Sequence, residues 1–173
     1  VERRHHWKLE KDWILFSPGI VPALNMATLT YTKPGDGILV QPPVYFPFFS
    51  AVNNHNRKLI ENQLVYQDGK YNIDFNDFEK KAKDAKLFFL SNPHNPVGRL
   101  WTKDELQKMG KICVKKDVII IADEIHCDLV LPGYKYIPMA SLSKEISAKT
   151  VTCIAPSKTF NLAGMATSSL VIE

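Results

Sequence analysis

The sequence predicts an α/β fold of three layers, in which helices cover both faces of a mostly parallel, seven-stranded sheet. Several of its short apolar runs are continuous rather than alternating, which is typical of strands buried on both faces. Helical stretches separate these runs, as the connections between parallel strands require. The seven predicted strands are residues 13–17, 37–41, 58–64, 87–91, 118–123, 151–155 and 169–173.

Four stretches between the runs are predicted to be helices, namely residues 19–31, 44–55, 74–84 and 102–117. The last is the clearest, because Thr102 and Glu105 have the spacing of a capping box. Asp74 is a candidate N-cap, since its side chain can accept from the first backbone amides of a helix.

The composition restricts the function classes. The chain has 173 residues, 45% of them hydrophobic and 23% charged, with a net charge of +4. No basic run with interleaved aromatic residues is present, so nucleic-acid binding is not expected. No apolar run approaches the roughly 20 residues of a membrane span. Three well-separated cysteines match no zinc-ligand spacing, so we expect no metal site and a reducing, cytoplasmic location.

Residues that could bind a ligand or take part in catalysis follow the predicted strands. In parallel sheets, ligands bind beyond the carboxyl ends of the strands. The segment "SNPHNPVGR" (91–99) follows one strand. Pro93 and Pro96 stiffen it and stop it from continuing the strand. We therefore expect Asn95 to be held rigidly with its amide NH₂ available, although a simple turn asparagine is the alternative.

Two ionisable residues follow other strands. Asp123 ends "VIIIAD", where a buried carboxylate is costly unless a cation meets it, and a helix cap or salt bridge is the alternative. Lys158 follows "VTCIAPS", a place suited to a desolvated amine, and a surface lysine is the alternative. Glu124 and Asp128 are predicted to form a solvated rim.

Further candidates precede two of the helices. Gly19 allows the chain to turn, so that the backbone amides of Ile20 and Val21 can face an anion. Tyr45 opens the next helix and offers an aromatic ring, unless it only packs in the core. Together the candidates supply an amine, an acid, an amide donor, an anion site and a flat ring. This set suits pyridoxal 5′-phosphate (PLP).

The sequence resembles the fold-type I PLP enzymes of the class I/II aminotransferase superfamily, and most closely the MalY/PatB-type cystathionine β-lyases, or C–S lyases. The segments that carry the resemblance are "SPGIVPALNMA", "QPPVYFPFF", "SNPHNPVGR", "ADEIHCDL" and "SKTFNLAGMATSS". They span nearly the whole chain in the family's order.

The resemblance implies a role for each candidate. Lys158 is the lysine that bonds covalently to the cofactor, and Asp123 pairs with the pyridine nitrogen. Asn95 bonds the phenolic oxygen, while Tyr45 stacks on the ring. The phosphate is held by four residues, Gly19, Ile20, Val21 and Ser157.

The chain departs from the aminotransferase pattern at two positions. His126 stands where many aminotransferases have a tyrosine, which leaves the second partner of the phenolic oxygen open between His126 and another group. Ala166 stands where many have an arginine, so the phosphate would lose a charge-assisted donor. The segment "NLAGMATSS" resembles the lyase subgroup.

The resemblance therefore implies β-elimination from a sulfur amino acid such as cystathionine or cysteine. An aminotransferase is the alternative enzyme, and a non-catalytic, aminotransferase-like regulatory domain is the second alternative. Residues 1–173 are expected to be the cofactor-binding large domain of a longer, homodimeric parent. The parent's N-terminal segment and its C-terminal small domain, which carries the family's substrate-carboxylate arginine, are expected to lie outside the chain.

Overall fold

A seven-stranded sheet forms the centre of the protein, and the computed structural model describes residues 1–173. A separate two-stranded hairpin lies apart from it. The strands are β1 (Ile14–Ser17), β2 (Gly37–Val40), β3 (Lys58–Glu61), β4 (Val65–Gln67), β5 (Lys70–Asn72), β6 (Ala85–Ser91), β7 (Ile119–Asp123), β8 (Thr150–Ile154) and β9 (Ser168–Ile172).

The order in the large sheet is β1-β9-β8-β7-β6-β2-β3. Only β9 runs against its neighbours, so the predicted mostly parallel sheet of seven strands is confirmed. Asp123 on β7 pairs with Ser91 on β6 and with Cys153 on β8. This register brings the ends of three neighbouring strands to the same level. We call this end of β6, β7 and β8, at Ser91, Asp123 and Ile154, the carboxyl edge.

Six α-helices connect or flank the strands. They are α1 (Glu2–His5), α2 (Ile20–Tyr31), α3 (Pro47–Asn53), α4 (Phe75–Ala82), α5 (Lys103–Lys115) and α6 (Lys144–Ser147). The capping box of Thr102 and Glu105 is present at the start of α5, and Asp74 accepts from two backbone amides at the start of α4. Both predicted caps are therefore confirmed. No helix has the length and apolar character that crossing a bilayer requires.

Alternation along the strands divides most of the core into two large clusters, one on each face of the sheet. On β6, Phe88 and Leu90 pack with α4, α5 and α6. Leu87 and Phe89 point the other way and pack with α2 and α3. Helices thus cover both faces, as the three-layer prediction requires.

The continuous burial predicted for the strands holds at the centre of the sheet and fails at its edge. All four residues of β2 are buried, whereas Leu15 and Phe16 on the edge strand β1 are 53% and 82% exposed. The hairpin of β4 and β5 was not predicted. Its turn is Asp68-Gly69, with both residues at positive φ, and this dipeptide is a recognised hairpin signal.

Candidate active site

Asp123 is a buried acid at the carboxyl edge with almost no partners. Asp123 is 5% exposed, and its carboxylate accepts one hydrogen bond, of 3.2 Å, from the backbone N–H of Ile125. It takes part in none of the protein's ion pairs. Burial raises the pKa of Asp123 to about 7, against the smaller opposing effects of the Ile125 hydrogen bond and the positive charge of Lys158. A cation or a proton donor would satisfy this carboxylate.

Lys158 lies in the turn that follows β8, near two of the predicted site residues. Its charge lowers the pKa of Asp123, and it adds to the burial that lowers the pKa of His126. The expectation of a desolvated amine is wrong for this chain, because Lys158 is exposed. Ser157 is half-buried, and its carbonyl accepts from the backbone N–H of Leu162.

Asn95 and Tyr45 lie on two loops and keep their polar groups available. Both are half-buried, and neither side chain makes a hydrogen bond within the protein. The backbone N–H of Asn95 donates to the Ser91 hydroxyl at 3.1 Å, which fixes the Asn95 loop against the end of β6. The Tyr45 ring packs edge-on to Phe48, with 6.3 Å between ring centroids. The side-chain amide of Asn95 and the hydroxyl of Tyr45 are therefore free to bind a ligand.

The N-terminus of α2 offers unpaired backbone donors. Gly19 precedes the helix with φ of 133°, a conformation that side-chain-bearing residues rarely adopt. The backbone amides of Ile20 and Val21 belong to the first turn and bond to no carbonyl. Such a helix end attracts an anion.

The prediction that Glu124 lies on a solvated rim is wrong. Glu124 is 0% exposed, and its carboxylate accepts from the Tyr136 hydroxyl and, at 2.9 Å, from the Met139 backbone N–H. Burial raises the pKa of Glu124 to about 8. Glu124 therefore anchors the segment that contains Tyr136 and Met139 directly beside Asp123.

Asp128 is also more enclosed than predicted, since it is half-buried and bound by three side chains. Arg4 and His5 reach it from α1 at 2.9 and 3.0 Å, and the Thr159 hydroxyl donates to it at 3.1 Å. The ligand atoms of His5, Cys127 and Asp128 lie within 4.8 Å of one another, as in some metal sites. However, the carboxylate of Asp128 is already paired with Arg4. Burial also raises the pKa of Cys127 to about 12, which disfavours the thiolate form that binds metals. The cluster is better described as an ion-pair network.

Comparison with known proteins identifies the family. The family model described as aminotransferase class I and II matches residues 1–171. The chain belongs to this family. Among curated members, the cystathionine β-lyase PatB of Bacillus subtilis (strain 168) is 48% identical over 174 residues, covering 99% of the chain and 45% of PatB.

Two solved structures share the fold closely. Cystalysin from Treponema denticola, which contains a pyridoxal 5′-phosphate cofactor, superposes with a TM-score of 0.97 at 47% identity, covering 99% of this chain and 44% of cystalysin. The PLP-bound C–S lyase from Staphylococcus hominis has a TM-score of 0.93 at 35% identity, covering 99% of this chain and 44% of that protein. The chain therefore spans less than half the length of these relatives.

Proposed function

We propose that residues 1–173 are the cofactor-binding large domain of a longer PLP-dependent C–S β-lyase. An enzyme of this cystathionine β-lyase type releases a thiol, pyruvate and ammonia from a sulfur amino acid. The 48% identity to PatB and the 47% identity to cystalysin support the lyase. The presence of Asn95, Asp123 and Lys158 together supports an enzyme over a non-catalytic regulatory domain.

The observation that carries the proposal is the buried carboxylate of Asp123, which has one hydrogen bond and no ion pair and lies near Lys158. Such a carboxylate fits a protonated pyridine nitrogen, because the cation would offset the cost of burying the charge. Unpaired amides at the start of α2 fit the phosphate, and the available Asn95 amide fits a phenolic oxygen. The donors and acceptors of the site thus match PLP in kind.

We assign the cofactor contacts accordingly. Lys158 would hold PLP covalently, Asp123 its pyridine nitrogen, and Asn95, with His126 as a second candidate, its phenolic oxygen. Tyr45 would lie against the ring. The phosphate would be held by Gly19, Ile20, Val21 and Ser157.

When bound, PLP supplies an electron sink for the pair released at the substrate's α-carbon. Asp123 would keep the sink effective by holding a proton at the pyridine nitrogen. Lys158 Nζ would be the base that removes the proton from the substrate's α-carbon. Burial, with a smaller effect from the charge of Lys158, lowers the pKa of His126 and so favours its neutral form. A neutral imidazole beside Lys158 can accept or donate a hydrogen bond without competing for the pyridine site.

The proposal extends to substrate, assembly and location. The substrate is a small amino acid such as cystathionine or cysteine. We propose a homodimer, since exposed apolar side chains such as Phe16 (82%), Phe46 (73%) and Met165 (69%) are available for an interface. All three cysteines are unpaired, in keeping with a cytoplasmic protein.

The test uses the full-length protein that contains this chain. Purified protein loaded with PLP is incubated with cystathionine, and pyruvate and free thiol are measured over time. We expect both products in equal amounts without a 2-oxoacid. The same assay with a 2-oxoacid tests the aminotransferase alternative, and transfer of the amine in place of thiol release would replace the lyase assignment. PLP binding with neither activity would favour the regulatory domain.

A further inference from the structure

We propose that His94 is a positioning residue that fixes the Asn95 loop relative to the Tyr45 loop. The Asn95 loop is residues 91–99, and the Tyr45 loop is residues 41–46. The inference rests on the proposed function, in which Asn95 and Tyr45 contact two parts of the same cofactor.

The geometry places His94 directly between the loops. His94 is 1% exposed, and its Nε2 lies 3.0 Å from the carbonyl oxygen of Pro43. A carbonyl oxygen only accepts, so Nε2 carries the hydrogen. His94 immediately precedes Asn95, and Pro43 stands two residues before Tyr45. One hydrogen bond therefore joins the two loops within two residues of each candidate cofactor contact.

The imidazole is held in a single state. Burial lowers the pKa of His94 to about 4, so the ring is neutral at physiological pH, with its hydrogen on Nε2. Its Nδ1 is buried without a hydrogen-bond partner. An apolar side chain of similar size would leave the Pro43 carbonyl without this donor, so the imidazole joins the two loops through Nε2 and not through Nδ1.

The Asn95 loop is stiff enough to pass on the position of His94. The His94 backbone N–H donates to the Arg99 carbonyl at 2.7 Å, and the Gly98 N–H donates to the His94 carbonyl at 2.9 Å. The Trp101 ring packs edge-on to the imidazole, with 5.3 Å between centroids. Trp101 is tied in turn to the end of β6 through its bond to the Ser91 carbonyl, at 3.0 Å.

The Tyr45 loop depends more strongly on His94. Pro42 and Pro43 have no N–H, so their carbonyls are the backbone groups that can anchor this part of the loop. The Pro42 carbonyl accepts from the Leu64 N–H at 2.7 Å, on the side of the sheet's edge. The Pro43 carbonyl accepts from His94. Removing the histidine donor would free the side of the loop that faces Asn95.

The test compares three variants of the full-length protein. His94→Leu keeps an apolar side chain of similar size and removes the donor. His94→Gln carries an amide N–H at a reach similar to Nε2, so it should restore the bond. His55→Leu is the matched control, because His55 also bonds through Nε2, to Asn25 at 2.8 Å, outside both loops.

Two measurements are made on each variant. Hydrogen–deuterium exchange of the cofactor-free protein follows peptides that cover the two loops. For the PLP-loaded protein, the cofactor's dissociation constant and the pH at which its visible absorbance titrates are determined. We expect His94→Leu to speed exchange in both loops, to weaken PLP about tenfold and to move the absorbance titration. His94→Gln should recover most of these changes, and His55→Leu should cause none of them.

The outcomes separate the inference from the proposed function. Wild-type protein that takes up no PLP overturns the proposed function and the cofactor-positioning role with it. If the wild type binds PLP and His94→Leu matches it in exchange and absorbance, the positioning role alone is wrong. Equal losses in the leucine and glutamine variants would also overturn it, since shape rather than the hydrogen bond would then matter. If His94→Leu fails to fold, His94→Asn, whose shorter amide does not reach Pro43, replaces it under the same criteria.

Discussion

The hydroxyl of Thr159 donates a hydrogen bond of 3.1 Å to the carboxylate of Asp128. This bond ties the segment that carries Lys158 to the turn that follows β7. The same carboxylate binds Arg4 and His5 of α1, so a single half-buried acid holds three separate parts of the chain together.

Replacing Asp128 with alanine should therefore destabilise the protein and loosen the Lys158 segment. Hydrogen bonds to a charged group are worth about 1.5–3 kcal/mol each, and the losses are not fully additive, so we expect the free energy of unfolding to fall by about 2–3 kcal/mol. Glu79→Ala is the control, because Glu79 forms an exposed ion pair with Lys115 and its loss should cost far less than that of Asp128. Urea unfolding of both variants decides the matter. Equal costs would mean that Asp128 is not an anchor.

Gly19→Ala should weaken phosphate recognition. The φ of 133° at Gly19 is strained for alanine, at about 1–3 kcal/mol, and relief of that strain would turn the Ile20 and Val21 amides away from an anion. We expect the affinity for PLP to fall, while the affinity for pyridoxal, which lacks the phosphate, falls less. Gly164→Ala is the control, since an added Cβ meets nothing within 4 Å there and φ is not in the strained range. A uniform loss for both ligands would argue against a phosphate site at α2.

Asp123 should make the stability of the cofactor-free chain depend on pH. Its pKa is about 7 in the folded state, and about 4 is expected when the chain is unfolded. Between these values the folded state holds the proton more tightly, so its stability falls as the pH rises, and the loss is complete above about pH 7. Glu124, with a pKa of about 8, acts in the same direction.

The contribution of Asp123 is isolated by Asp123→Asn, which cannot titrate. Between about pH 5 and pH 8 the wild type should lose about 3 kcal/mol more unfolding free energy than this variant. Urea unfolding of both proteins at the two pH values measures the difference. Parallel pH profiles would show that Asp123 is already charged at low pH, and that a partner meets it in the folded chain.

The parts of the fold that depend on neighbouring residues could be predicted from the sequence. The capping box at Thr102, the cap at Asp74 and the seven strands each arise from short patterns, and each is present. The placement of Asp123 at the end of one strand, and of Asn95 and Lys158 after two others, could also be predicted, because parallel strands end at a common edge.

Which residues of the site are buried depends on contacts between distant parts of the chain, and the sequence did not predict it. Glu124 is buried because Tyr136 and the Met139 N–H, 12 and 15 residues further along, fold back onto it. Neither partner forms a motif with Glu124. The prolines around His94 predict a stiff segment, but the partner of His94, Pro43, is 51 residues away. The position of Lys158 after a buried strand predicts a desolvated amine, yet residues 160–167 beside it are all exposed and do not cover the amine.

The last prediction concerns the covalent attachment of the cofactor to Lys158. The amine follows a buried strand and acts on the pKa of Asp123, so one molecule that bonds to Lys158 can also reach the acid. In the full-length protein, Lys158→Ala should abolish the covalent link and lower turnover by orders of magnitude, because the nucleophile and the base are lost together. Lys149→Ala, which removes the exposed partner of Asp117, should leave both unchanged. Borohydride reduction of the PLP-loaded wild type, followed by peptide mass mapping, identifies the modified lysine directly. A pyridoxyl group on a different lysine, with none on Lys158, would overturn the assignment and the proton-transfer role that depends on it.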